Sequence, residues 1–272
     1  MSRKNISKLF FKDYFEERNG FNFSHVISGN IPDKDTQKEV LNRNRAIKEV
    51  ELKEIPALPF LDKNEDCFSL IIAYPGLVTG TGLVHDSKKL EGGYNLGMHF
   101  DYTWGMPIVY GSSVKGVLRS YFKEEFNNGN IDKDDLFEDI FNGRVRNKEK
   151  DKKNNKGELE KRGYDNKSIY QRDIFFDAVI IKDYKGHILE DDSITPHGDN
   201  PLKNPIPITM LKIAPGCTLE FRFRLKDSHI NGVTYGKEEK LKLFKTILET
   251  VGVGAKTNVG YGQFVNKFST IS

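Results

Sequence analysis

KEEKLKLFKTILETVGVGAKTNVGYGQF, residues 237–264, reads as a helix that runs into a loop with four glycines and then a short apolar stretch. Leu241, Phe244, Leu248 and Val251 recur at helical spacing and predict an inward face over 237–251. Gly252 stands where a left-handed residue would end that helix. Residues 261–264 predict a last short strand. Both nucleotide motifs suggested by such a loop fail. A dinucleotide fingerprint precedes its helix, whereas Gly252 and Gly254 follow one and lead to Thr257. A Walker loop needs glycine directly before Lys-Thr and again five residues earlier, where this chain has Ala255 and Thr250.

Upstream of this helix, CTLEFRFRL (217–225) alternates Leu219, Phe221, Phe223 and Leu225 with Glu220, Arg222 and Arg224, a strand with one polar face. IFFDAVII (174–181) predicts a second strand, and CFSLIIAY (67–74), stopped by Pro75-Gly76, a third. Val114, Val117, Leu118, Tyr121, Phe122 and Phe126 mark an amphipathic helix, with Ser112-Ser113 placed to cap it. The order strand, helix, strand, strand, helix, strand is an α+β pattern. It predicts the ferredoxin-like split β-α-β-β-α-β arrangement, which is also the RNA-recognition fold. Two further helical patterns precede Pro56 and Pro59, so residues 1–60 are expected to be an N-terminal extension packed on a domain spanning 61–272.

The net charge of +3 is unevenly placed. Between Arg144 and Lys167 ten Lys/Arg face five Asp/Glu, a local +5 in a segment almost without apolar residues. Such a segment cannot bury enough surface to order itself, so a mobile insert over about 143–168 is expected, open to nucleic acid. No apolar run approaches the roughly 18 residues of a membrane span, and the N-terminus lacks a signal-peptide core, which points to a cytoplasmic protein. Cys67 and Cys217 lie in strand-like runs and are expected to be buried thiols.

Ser112 and Lys115 fit the S-x-x-K of serine acyltransferases, but the S-D-N and K-T-G that accompany it are missing. None of the six histidines has a partner at H-x-x-x-H spacing, so neither a metal nor another cofactor is expected. Lys115, Arg119 and Lys123 form a row that begins in the first turn of a helix, where the dipole disfavours cations unless an anion is present. Free N–H groups and Lys115 would make a phosphate site there. Around Lys256 and Thr257, Gly254, Gly260 and Gly262 would let a phosphate chain approach bare backbone. A ribonuclease would instead draw on Asp86 or Asp101, each without a paired carboxylate, or on His85 and His99 for a metal-independent cleavage. A protein-interaction module without RNA contact is the third possibility.

IVYGSSVKGVLRSYF (108–122) and GVGAKTNVGYGQF (252–264) resemble the first-helix signature and the C-terminal glycine-rich loop of the repeat-associated mysterious proteins, the RAMP superfamily of CRISPR systems. With Asp192-Ser193-Ile194-Thr195-Pro196-His197 and PIPITMLKIAPGCTLEFRF, they are most similar to the sixth Cmr subunit of type III-B RNA-targeting complexes. The resemblance implies a non-catalytic RNA-binding subunit in antiviral defence, near the 3′ end of the guide RNA. Its partners would be guide RNA, single-stranded target RNA and neighbouring RAMP subunits. Ser112, Ser113, Lys115 and Arg119 would face RNA or those neighbours, and Gly252, Gly254, Lys256, Thr257, Gly260 and Gly262 would form the RNA-facing loop.

Overall fold

The computed structural model describes residues 5–17, 21, 33–53, 66–80, 92–94, 96–195 and 207–265. The first half contains α1 (Ile6–Phe11), α2 (Lys34–Lys48), β1 (Asp66–Ile71), β2 (Ile108–Val109), α3 (Gly111–Glu125) and α4 (Lys133–Phe137). Four short strands follow, β3 (Arg144–Arg146), β4 (Lys152–Lys153), β5 (Leu159–Lys161) and β6 (Tyr164–Asn166). Then come β7 (Ile174–Phe175), β8 (Ala178–Lys182), β9 (Leu189–Ile194), β10 (Ile208–Ile213) and β11 (Thr218–Arg224). The chain continues through β12 (Ser228–Ile230), β13 (Val233–Tyr235) and α5 (Lys237–Val251).

The central antiparallel sheet has the order β1-β11-β8-β2, with β7 also on β11. Because β1 and β8 are both antiparallel to β11, they are parallel to each other across it, and α3 lies in the connection between them. After α5 the chain returns beside β1. There the predicted last strand is reduced to one antiparallel bridge, Ile72 with Phe264. The N–H of Ala73 donates to Gln263 O (2.9 Å), and that of Val265 to Ile71 O (2.8 Å).

The alternation of β11 decides what each sheet face does. Leu219, Phe221 and Phe223 are fully buried, and Phe244 of α5 packs 5.4 Å from Phe223, ring centre to ring centre. The opposite face carries Arg222, whose Nε donates to Glu220 at 2.6 Å. Cys67 opens onto this polar face and is exposed, contrary to expectation, because it pairs with Arg222 in register. Cys217 is buried as expected, and burial pushes its thiol up to about 11.

Two features differ from the sequence expectation. The hairpin of β9 and β10 and the smaller one of β12 and β13 add elements between and after the predicted strands. The segment 143–168 is built rather than mobile: β3 pairs with β6 and β4 with β5. Its order comes from ion pairs with α4 and the turn after it. Arg162 donates to Asp132 (2.7 Å) and Asp135 (2.9 Å), Tyr164 donates to Asp135 (2.9 Å), and Lys167 pairs with Asp139. The N-terminal helices pack into the main core. Ile6, Phe10 and Tyr14 are fully buried, with Phe10 5.4 Å from Phe100. Arg43 of α2 ties the two together, pairing with Glu39 (3.1 Å) and donating to Tyr14 O (2.6 Å) and Glu16 O (2.7 Å).

Candidate nucleic-acid interface

The start of α3 is not capped by serine. The helix begins at Gly111, its N-cap Tyr110 makes no side-chain cap, and the Gly111 N–H donates to Asp177 Oδ1 at 2.7 Å. Ser113 N–H is likewise taken, by Tyr110 O at 2.8 Å. A carboxylate already complements the helix dipole, so this end is a poorer phosphate site than the free N–H groups assumed from sequence.

The glycine loop is equally self-engaged. Val253 N–H donates to Gly262 O (3.0 Å), Gly262 N–H to Gly76 O (2.8 Å) and Ala255 N–H to Val78 O (2.8 Å), so three backbone segments stack without side chains between them. A Cβ on Gly262 would overlap Val253 O, and one on Gly254 would lie 2.5 Å from Val78 O. Gly252 has φ 73° and ψ −169°, which is not the left-handed cap expected; its bareness lets it lie against Gly262 O. Of the four glycines only Gly260 faces open space, with Pro75 at 3.6 Å its nearest neighbour. Lys256 adopts the left-handed conformation (φ 62°, ψ 33°), and Thr257 opens a single 3-10 turn. Gln263 fills the loop, its Nε2 donating to Val251 O (3.3 Å) and Thr257 O (3.4 Å).

The two motifs nevertheless meet. A groove of about 400 Å³ takes Ser113 and Val117 from α3 and Gly254 and Ala255 from the loop. Thr79, Gly80 and His99 complete it from the segments after β1 and before β2, with Val109 of β2. His99 stacks on Tyr110, ring centres 4.2 Å apart and planes 28° from parallel, and burial lowers its pKa. Tyr261 anchors the loop from behind: its hydroxyl donates to Asp192 at 2.9 Å, and burial together with that carboxylate raises its pKa to about 12. Burial works against the Asp192 carboxylate, but hydrogen bonds from Lys212 (2.9 Å) and Tyr261 outweigh it and hold its pKa low.

Lys115 and Arg119 turn away from this groove. Lys115 lies 5.4 Å from the Phe175 ring centre and Arg119 5.4 Å from that of Phe137. Burial, then the nearby Arg119 and Arg172, lower the pKa of Lys115, with Asp173 opposing. The residues expected to act together therefore occupy two flanks of α3, while Ser112 is exposed at its start.

The sequence profile of the RAMP superfamily matches residues 70–265. The chain belongs to the RAMP superfamily. Among solved structures, a chain of the type III-B Cmr-beta complex bound to cognate target RNA superposes with a TM-score of 0.51 at 20% identity. The match covers 96% of this RAMP chain and 87% of the other. Cmr6 from Pyrococcus furiosus matches with a TM-score of 0.34 at 21% identity, over 76% of this chain and 99% of that one. A search of curated proteins finds no match.

In this RAMP protein the nuclease candidates fare differently. Asp101 Oδ1 accepts from Thr103 N (2.8 Å), Thr103 Oγ1 (2.8 Å) and Trp104 N, which makes it the organiser of a turn. His99 makes no hydrogen bond to a carboxylate among the described residues, and His85, Asp86 and His197 lie outside them. No group of three His, Cys, Asp or Glu suited to a metal occurs among the described residues, nor any helix long and apolar enough to cross a membrane. Sequence reasoning missed Tyr110 and Asp177. The periodicity of α3 could signal neither, since Tyr110 precedes the helix and Asp177 comes from 66 residues away.

Proposed function

We propose that this RAMP protein is a non-catalytic RNA-binding subunit of a type III-B Cmr complex, seated near the 3′ end of the guide RNA beside other RAMP subunits. The observation that carries it is the groove in which Ser113 and Gly254, one from each family motif, line the same surface. The fold shared with a chain of an RNA-bound Cmr assembly supports it. So does the reading of the sheet as ferredoxin-like, with β1–α3–β8 and β11–α5–264 as two interleaved crossovers.

Exposed cations would supply the affinity. Lys152 and Lys161 face each other across β4 and β5, a like-charge pairing that a phosphate backbone would relieve. The test is binding of single-stranded RNA across salt, with the RNA recovered and sized afterwards. Neutralising four to six phosphates gives a slope of roughly −3 to −4 in log affinity against log salt. The RNA should come back intact. An affinity independent of salt would overturn the binding reading, and cleavage abolished in His99→Ala or Asp101→Ala would replace it with a nuclease.

A further inference from the structure

The groove beside α3 is badly suited to a phosphate. Three of its lining residues, Val109, Val117 and Ala255, are apolar, and the nearest helix terminus is already met by the carboxylate of Asp177. Among the described residues no lysine or arginine lines it. What it offers is a flat ring. His99 lies face-on to Tyr110, and its imidazole covers Gly80 so closely that a Cβ there would sit 2.7 Å from Cδ2. The ring is also held through its backbone: His99 N–H donates to Thr79 Oγ1 (3.1 Å), and His99 O accepts from Ile108 N–H (3.1 Å). Neither imidazole nitrogen has a hydrogen-bond partner among the described residues. Tyr102 stands four-fifths exposed near Tyr110, close enough to contribute, after burial, to raising that phenol's pKa.

A preformed aromatic pair at the edge of an apolar groove is what an unstacked nucleobase seeks. Every base has a π-face, and single strands are held by stacking as well as by charge. We infer that the groove between α3 and the glycine loop is a nucleobase pocket, in which one splayed base of a bound single strand stacks beside the His99–Tyr110 pair while its phosphates lie outside over Lys256. The Ser113 hydroxyl is available to the base edge. This rests on the RNA-binding reading above and adds to it a division of labour: the groove holds a base, and cations elsewhere hold the backbone.

The full chain is titrated with single-stranded oligoadenylate and with an oligomer of equal length whose sugar–phosphate backbone carries no bases. The parent should prefer the oligoadenylate by roughly 5- to 150-fold, the range that alanine substitution finds for one stacked base. His99→Ala should lose most of that preference and His99→Phe should keep it. The salt slope should stay the same in both variants, because a base contact releases no counterion. Melting curves of the variants verify that they are folded. Independently of any variant, 2-aminopurine placed in the oligomer should change its emission when the parent binds it, because the splayed base leaves its stacked neighbours. Equal affinity for the two oligomers, a probe whose emission does not change, or a His99→Ala protein with its preference intact would overturn the pocket while a steep salt slope left the RNA reading standing. Failure of both oligomers to bind at any salt concentration would overturn both.

Discussion

At the scale of single residues, the glycine loop separates two reasons for having no side chain. Gly262 and Gly254 are bare because the chain's own backbone occupies the space, whereas Gly260 is bare only for its dihedral angle, φ 97°. Gly260→Ala should therefore cost about 1 kcal/mol of strain. Gly262→Ala, which adds an overlap with Val253 O at φ 69°, should cost ~3 kcal/mol or more. Urea denaturation of the two variants measures the difference, and equal values would show that the stack of backbones gives way easily. The same logic applies at α3. Asp177→Ala removes the hydrogen bond to Gly111 N–H and should cost about 1 kcal/mol, while Ser112→Ala should stay within about 0.5. These assignments were illegible in sequence, since glycine spacing says that bare backbone is needed but not what approaches it.

Among the elements, the ones with a clean period were legible and the ones held by distant charges were not. The 3.6-residue pattern of 114–126 and the alternation of 217–225 gave α3 and β11 nearly to the residue. Lys240 broke the pattern of α5 without breaking the helix: it is 1% exposed, yet donates to Asp173 (2.7 Å) and Lys226 O (2.6 Å). The insert escapes local pattern for the same reason, its order resting on ion pairs with Asp132, Asp135 and Asp139 outside it and with Asp151 and Asp165 within it. That dependence has a pH signature. The Arg146 hydrogen bond and the Gly163 N–H pull Asp151 down to about 2; the Arg162 hydrogen bond also lowers the pKa of Asp132, and hydrogen bonds from Lys150 and Asn147 lower that of Asp165. Each folded pKa lies below its unfolded value of 3.8, so the stabilisation is complete above that value and lost as pH falls through the depressed pKa. Amide-exchange protection over β3 to β6 is thus expected to be full at neutral pH. It should vanish between about pH 4 and 2, before that of β11. Loss of protection in all strands together would contradict the ion-pair account.

The whole molecule turns on whether the N-terminal helices are an appendage. The sequence makes them an extension that closes at Pro56 and Pro59 and packs on the core, a division that local pattern alone supports. Packing joins them to the rest: Ile6, Phe10, Tyr14, Val40 and Ile47 are all at most 1% exposed and belong to one hydrophobic cluster with Phe221 and Phe244. Tyr94, the partner on which Phe10 stacks at 5.8 Å, is itself fully buried and lies close to the segment that carries His99. Removing residues 1–53 would take away seven buried hydrophobic side chains, Phe21 and Val50 besides these five, worth ~1.5–3 kcal/mol each, and uncover the surfaces they touch. That sum is of the order of a domain's entire stability, about 5–15 kcal/mol. The truncated chain should therefore show no cooperative thermal transition, and the groove at His99 should be lost with the fold. A truncated protein that melts cooperatively within a few degrees of the full chain would instead establish residues 1–53 as a separable extension, and would place the support of the groove in the sheet and α3 alone.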